Sequence, residues 1–393
     1  MPHVEAFAQP VPGDVFREYM WYNKDGDAGG ALRVGGRIGY EGRIALDHDF
    51  DLEHAIKAEV IIEKILCHDG TKDLAIQIND NDWLQIPEAQ TIPYPQWEYQ
   101  HHIYPIVQIP LSFLKSGTGN RFQMRVNPKH SWKWPQNLIN GVHFRIYYNP
   151  DKKPHPTGKI TSIKSGDAIG SRTPLQVEAE SPNAKIKQVD YVGHSYDVNF
   201  EGDGVYRQWH YHFLHGKIIH HLGSAYAGPY QITWDTSWVP DQKEPMQIGA
   251  RIVDQAGMIY MTDAINNLTL VRPGMSVELC EPYNVPQQWV TRKGRKQENF
   301  DVTGDLGNAT AAQLVWVSWC PGYMEGIFIN DRKVFDNEGP HYQYYAHRIR
   351  PNDLKAFKRG QNVLATGGNT NRGIHGMEVN WPGIMVLIEY KDQ

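Results

Sequence analysis

The chain has 393 residues, 21% of them charged, and a formal net charge of −5. With no run of Lys or Arg, it fits neither a phosphate-tracking nucleic-acid binder nor a protein held on an acidic membrane surface. The three cysteines, Cys67, Cys280 and Cys320, are too few for a disulfide framework and match no zinc spacing; a Cys280–Cys320 bridge and three buried thiols both remain open.

No window holds 18 consecutive apolar residues, so no membrane-spanning helix is expected. The N-terminus has no basic stretch followed by an apolar one. Ala6-Phe7-Ala8 looks like the tail of a cleavage site, and an extracellular or periplasmic location is the expectation. Phe16–Asn23 reads as an aromatic, charged strand. The glycines that follow, in GDAGGALRVGG, come with no lysine and no helix, so they are not a nucleotide loop. Next come strands at Ala58–Ile65 and Leu74–Ile78, and one at His143–Tyr148 preceded by a loop with His130, Trp132, Trp134 and Asn137. Asn149–Lys159 (NPDKKPHPTGK) has the proline and glycine content of a linker, and Val271–Met275 (VRPGM) is a second. Between them runs a strand at Ile248–Val253, and a last strand lies at Ile384–Tyr390. No stretch keeps a helical period for three turns; Leu354–Arg359 allows one turn at most. The class is all-β, three β-sandwich domains over 1–150, 151–272 and 273–393.

The outer pieces share an order of features. A strand ends in Ile78-Asn79-Asp80 in one and in Ile329-Asn330-Asp331 in the other. Ile109–Lys115 then leads to Gly119-Asn120, and Ile349–Lys355 leads to Gly360-Gln361-Asn362. Each closes on a Gly-led strand, from Gly141 and from Gly383. This pattern resembles the galactose-binding-like jelly roll, seen as the sugar-binding module of many family 2 glycoside hydrolases. No catalytic residue of those enzymes carries over, because the large barrel that accompanies the module there is missing. The middle piece resembles bacterial immunoglobulin-like modules, through Ile160-Thr161-Ser162, Leu175–Ala179, Ile186–Tyr191, Pro229–Asp235 and Ile248–Gly257. That resemblance implies a sandwich of about seven strands.

The middle piece departs from such modules by an insertion of His-rich sequence over 193–228. Long insertions on a rigid scaffold are places where function collects. As a strand, the insertion puts Trp209, Tyr211 and Phe213 on one face and His210 and His212 on the other. A hairpin turning at Gly216-Lys217 would follow. His210 and His212 could ligate one metal ion or act as an acid/base pair; a hairpin covering a neighbouring domain is the alternative. Trp234, Asp235, Trp238 and Asp241 could line a pocket, although Trp234 and Asp235 also belong to the module pattern. His375, Glu378 and Trp381 make a possible sugar-handling set, as do Trp132 and Trp134.

Twelve Trp, 21 Tyr and 12 Phe suit both strands and sugar stacking. The leading reading is therefore a carbohydrate-active protein, a glycoside hydrolase or polysaccharide lyase. Its site would lie at a domain junction near the insertion, with His210, His212, Asp235, Asp241 and Glu378 as catalytic candidates. The alternatives are a non-catalytic glycan-binding or surface-assembly protein, and a copper or zinc enzyme using His210 and His212 as ligands of a divalent metal ion. Self-association into a homo-oligomer stays open.

Overall fold

The computed structural model describes residues 10–22, 32–34, 43–65, 73–88, 92–126, 137–198, 209–368 and 376–391. Strand accounts for 52% of the chain and helix for 6%, so the fold is all-β. Every helix among the described residues is a short 3-10 turn, including Pro351–Ala356, where the sequence allowed a single turn.

Three hydrophobic cores follow one another along the chain. The first is built on Phe50, Ile62, Ile76, Phe122 and Phe144. The second is built on Leu175, Tyr191, Trp234 and Ile252, and the third on Trp289, Phe300, Trp316, Ile327 and Ile388. Cys280 and Cys320 are free, buried thiols, and burial pushes the Cys320 thiol up to about 12.

The first and third cores share one topology. The main strands of the first are Val15–Tyr22, Ile44–Ala45, Ala55–Ile65, Ala75–Ile78, Leu84–Gln85, Ile106–Ile109, Arg121–Arg125 and Asn137–Tyr148. In one sheet the spatial order is first, eighth, third, sixth; in the other it is second, seventh, fourth, fifth. The third core uses Met275–Cys280, Lys296–Val302, Ala309–Trp316, Met324–Ile329, Arg332–Phe335, Tyr345–Arg348, Gly360–Gly368 and Met385–Lys391 in the same two orders.

The Ile-Asn-Asp signature has a structural reason. Asn79 and Asn330 both take positive φ, 49° and 47°, a region Asn tolerates better than most residues. Asn79 donates to Phe113 O at 2.8 Å and Asn120 Oδ1 at 2.7 Å, and accepts from Arg121 N at 2.9 Å. Asn330 repeats this with Ala356 O at 2.9 Å, Asn362 Oδ1 at 2.7 Å and Val363 N at 3.1 Å. Asn120 and Asn362 in turn bridge the backbone of Lys115 and Lys358. The counterpart of Lys115 is therefore Lys358, not Lys355, because the 3-10 turn of the third core is longer.

Separate sandwiches do not describe how the first and second cores meet. Val15 pairs with Tyr260 and Phe16 with Ile259, so a single 12-stranded sheet runs from one core into the other. The strand Asn137–Tyr148 is buried on both faces. Val142, Phe144, Ile146 and Tyr148 point into the first core, while His143, Arg145 and Tyr147 point the other way and are covered by the second unit. The covered face holds a chain of buried charges. Arg145 reaches Glu59 at 2.7 Å and Glu18 at 2.9 Å; Arg251 reaches Glu18 at 2.5 Å and Asp190 at 2.8 Å. Glu18 and Arg145 thus belong to one half of the sheet, Arg251 and Asp190 to the other.

Candidate functional site

The insertion explains how that charged face is kept dry. Trp209, Tyr211 and Phe213 alternate inward and join Phe16, Tyr147 and Val192 in a core of their own. Gly249 makes room for Trp209: a Cβ there would lie 3.0 Å from the indole ring. The hairpin pairs His212–Leu214 with Lys217–Ile219 and turns at His215-Gly216, one residue earlier than expected. Both turn residues have positive φ, 47° and 77°, the geometry of a two-residue hairpin turn. At Gly216 a Cβ would also press within 2.8 Å of the Tyr22 ring. The aromatic side of the insertion is a cover for the first unit.

The histidine side does not converge as the i, i+2 spacing suggested. His210 faces His194, ring centroids 5.8 Å apart, while His212 faces His220, with Nδ1 atoms 3.2 Å apart. Among the described residues, no group of three or more His, Cys, Asp or Glu is arranged to hold a metal ion. His212 and His220 instead belong to a closed circuit of rings where all three units meet. His212 stacks on Tyr104 at 4.4 Å, Tyr104 on His102 at 4.9 Å, and His102 on Tyr344 at 5.5 Å. Tyr344 meets His220 edge-on at 4.1 Å and closes the circuit. Burial, helped by His212 and His102, holds the His220 imidazole well below the ordinary histidine range, so it is neutral.

A cleft of about 850 Å³ opens beside this meeting point, between the second and third units. Asp197, His220, Asp235, Ser237 and Trp238 come from the second unit, and Gln313, Gln343, Tyr344, Arg348 and Glu389 from the third. Its apolar floor is formed by Val198, Val315 and Leu387, members of a small cluster on which Trp238 packs. The Arg348 guanidinium lies 5.8 Å above the Trp238 ring.

Two carboxyl groups of the cleft are displaced in opposite directions. Burial pushes Asp197 up to about 6, against the pull of the Val198 N–H that it accepts at 2.6 Å. Asp235 is held below the usual carboxylate range by the Ser237 hydroxyl and backbone N–H, with Arg172 adding to the effect. Below about pH 6 Asp197 keeps a proton that it could donate, while Asp235 is already an anion.

Of the residues expected at one junction, the cleft gathers Asp235 and Trp238. Trp234 is not on its surface: it packs inside the second core. Asp241 lines a separate cavity of about 460 Å³ and pairs with Arg272. Glu378 lies on the seam between the first and third units, 5% exposed. There it accepts from Gln100 Nε2 and Arg292 Nη2, both at 3.2 Å, and burial pushes it up to about 7 against the pull of Arg292. Trp381 sits on the same seam, edge-on to Tyr99 at 5.2 Å. His375, Trp132 and Trp134 lie outside the described residues. Asp197, Tyr344 and Gln100 were not singled out from sequence. Asp197 lies in a polar loop of the insertion with no motif around it, and Tyr344 reaches the cleft only through the packing of the third unit.

No family model matches the chain, and no curated protein matches it. Among solved structures, a DUF4785 family protein from Legionella pneumophila is similar over 98% of this chain and 85% of its own, at 13% identity and a TM-score of 0.26. The fibronectin(III)-like modules of CbhA from Clostridium thermocellum match 30% of this chain over 98% of theirs, at 18% identity and a TM-score of 0.20. A β-porphyranase of glycoside hydrolase family 86 from Bacteroides plebeius matches 72% of this chain and 44% of its own, at 12% identity and a TM-score of 0.24. With TM-scores this low, none of them bears on what the chain does.

Proposed function

We propose that this chain is a carbohydrate-active hydrolase that holds a glycan in the cleft between its second and third units. Asp197 donates a proton to the leaving oxygen, and ionised Asp235 serves as base or nucleophile. The observation that carries the reading is the pair of carboxyl groups, one raised and one lowered, on the wall of one large cleft. Glycosidases divide their work between two such carboxyl groups. Trp238 and Tyr344 offer flat apolar walls, and Gln313, Gln343 and Arg348 offer hydrogen-bonding groups, the mixture a sugar ring needs. The units themselves fit a jelly roll, an immunoglobulin-like sandwich and a second jelly roll. Support for the outer two comes from their shared strand order, and for the middle one from the parallel pairing of Ala168–Ile169 with Thr269–Leu270 beside its antiparallel strands. An extracellular or periplasmic location goes with a glycan substrate.

The test is a screen of purified protein against a panel of poly- and oligosaccharides, read by reducing-end release. Asp197→Asn and Asp235→Asn should each abolish cleavage of the responsive glycan while binding persists, and Trp238→Ala should weaken binding. Full activity in both Asp variants would overturn the assignment. Binding without turnover in the unaltered protein would leave a glycan-binding protein instead.

A further inference from the structure

The His212–His220 pair takes no part in the acid–base chemistry proposed for the cleft, yet its geometry is specific. The two Nδ1 atoms stand 3.2 Å apart with ring planes crossing at 76°. A hydrogen bond accounts for that approach if one nitrogen keeps its proton. The same separation suits two nitrogen ligands of a single ion. With metal–nitrogen bonds of about 2.0–2.1 Å, nitrogens at that distance subtend roughly 100° at the metal, close to a tetrahedral angle.

Further observations bear on the pair. Both rings are held from outside, His212 by stacking on Tyr104 and His220 by the edge of Tyr344. Ligands fixed in this way need little reorganisation on binding. His220 has φ of 59°, an uncommon backbone for histidine, and such strain collects at functional sites. His220 also lines the cleft, while His212 does not.

We infer that His212 and His220 form a two-imidazole site for a divalent first-row metal ion of the copper(II) or zinc(II) class, in the ring circuit where the three units meet. Imidazole nitrogen favours these ions, and copper(II) most strongly. Among the described residues no third His, Cys, Asp or Glu joins the pair. The hairpin register explains why the partner of His212 is His220 and not His210. His212 pairs with Ile219, so His220 comes immediately after the residue opposite, while His210 is held against Gly193.

The experiment uses the full chain stripped with a chelator, then incubated with copper(II) or zinc(II) and desalted. Elemental mass spectrometry should find stoichiometric metal, and the copper(II) electron paramagnetic resonance spectrum should carry nitrogen couplings. His212→Ala and His220→Asn should lose both signals, and His210→Ala should keep them. Asn suits the left-handed backbone at position 220, so His220→Asn keeps the native circular dichroism and thermal transition. No retained metal in the unaltered chain, retention in both pair variants, or equal loss in His210→Ala would overturn the inference. None of these readouts depends on glycan cleavage, so the two proposals fail independently.

Discussion

Replacing Asp197 with Asn should stabilise the protein at neutral pH while removing its activity. Asn keeps the shape and the oxygen that accepts the Val198 N–H. It removes a charge that the fold disfavours, since burial pushes the carboxyl up to about 6 from an ordinary 3.8. A group raised in this way binds more protons folded than unfolded, so stability falls as pH rises through the window between those two values. At about 1.4 kcal/mol per unit, the penalty in the unaltered protein reaches about 3 kcal/mol at pH 7.5 and about 1 kcal/mol at pH 4.5. Partial exposure of the side chain makes the larger figure an upper bound. Urea unfolding of both proteins at the two pH values measures the gain directly. An equal effect of Asp197→Asn at both pH values, or a loss of stability at pH 7.5, would refute the claim that burial raises this carboxyl. The proton-donor role would fall with it.

Glu18→Gln should cost about 3–5 kcal/mol, because it leaves the buried Arg145 and Arg251 short of their shared anion. Burial works against the Glu18 charge, but the two arginines outweigh it and hold its carboxyl below the usual range. Its contribution is thus present above the ordinary carboxylate pKa and lost as pH falls through the lower folded value, and urea unfolding as a function of pH would show the slope. Asn79→Ala and Asn330→Ala should each cost about 2–4 kcal/mol, from lost hydrogen bonds plus a left-handed backbone that Ala resists. Gly at either position should restore about 1 kcal/mol of that loss. Thermal unfolding of the four variants checks it, and unequal losses at the two positions would contradict the equivalence of the two sites.

Much of the strand pattern was readable in sequence, because alternation and turn residues are local signals. The strands at Ala58–Ile65, His143–Tyr148 and Ile248–Val253 lie within longer observed strands for that reason. The likeness of the outer pieces was also readable, since Asn79 and Asn330 are demanded by a left-handed corner and a hydrogen-bond bridge that few side chains supply. Within the insertion, the period of two placed Trp209, Tyr211 and Phe213 on one face, and that face is buried.

What sequence could not reach is what each exposed-looking face meets. His143, Arg145 and Tyr147 read as the outer side of a strand, yet they are buried because the sheet continues into the next unit and the hairpin closes over them. His210 and His212 were paired by spacing, but the partner of each was set by hairpin register and by a strand far away in the chain. The expected single junction divided into a cleft with Asp235 and Trp238 and a seam with Glu378 and Trp381. Docking between units depends on surface shape and the balance of buried charges, and neither has a period along the chain. Local pattern therefore determined the elements and the duplicated corner of this protein, while the tertiary packing alone decided which side chains share a cavity, because only packing brings residues like Asp197 and Tyr344 to one wall.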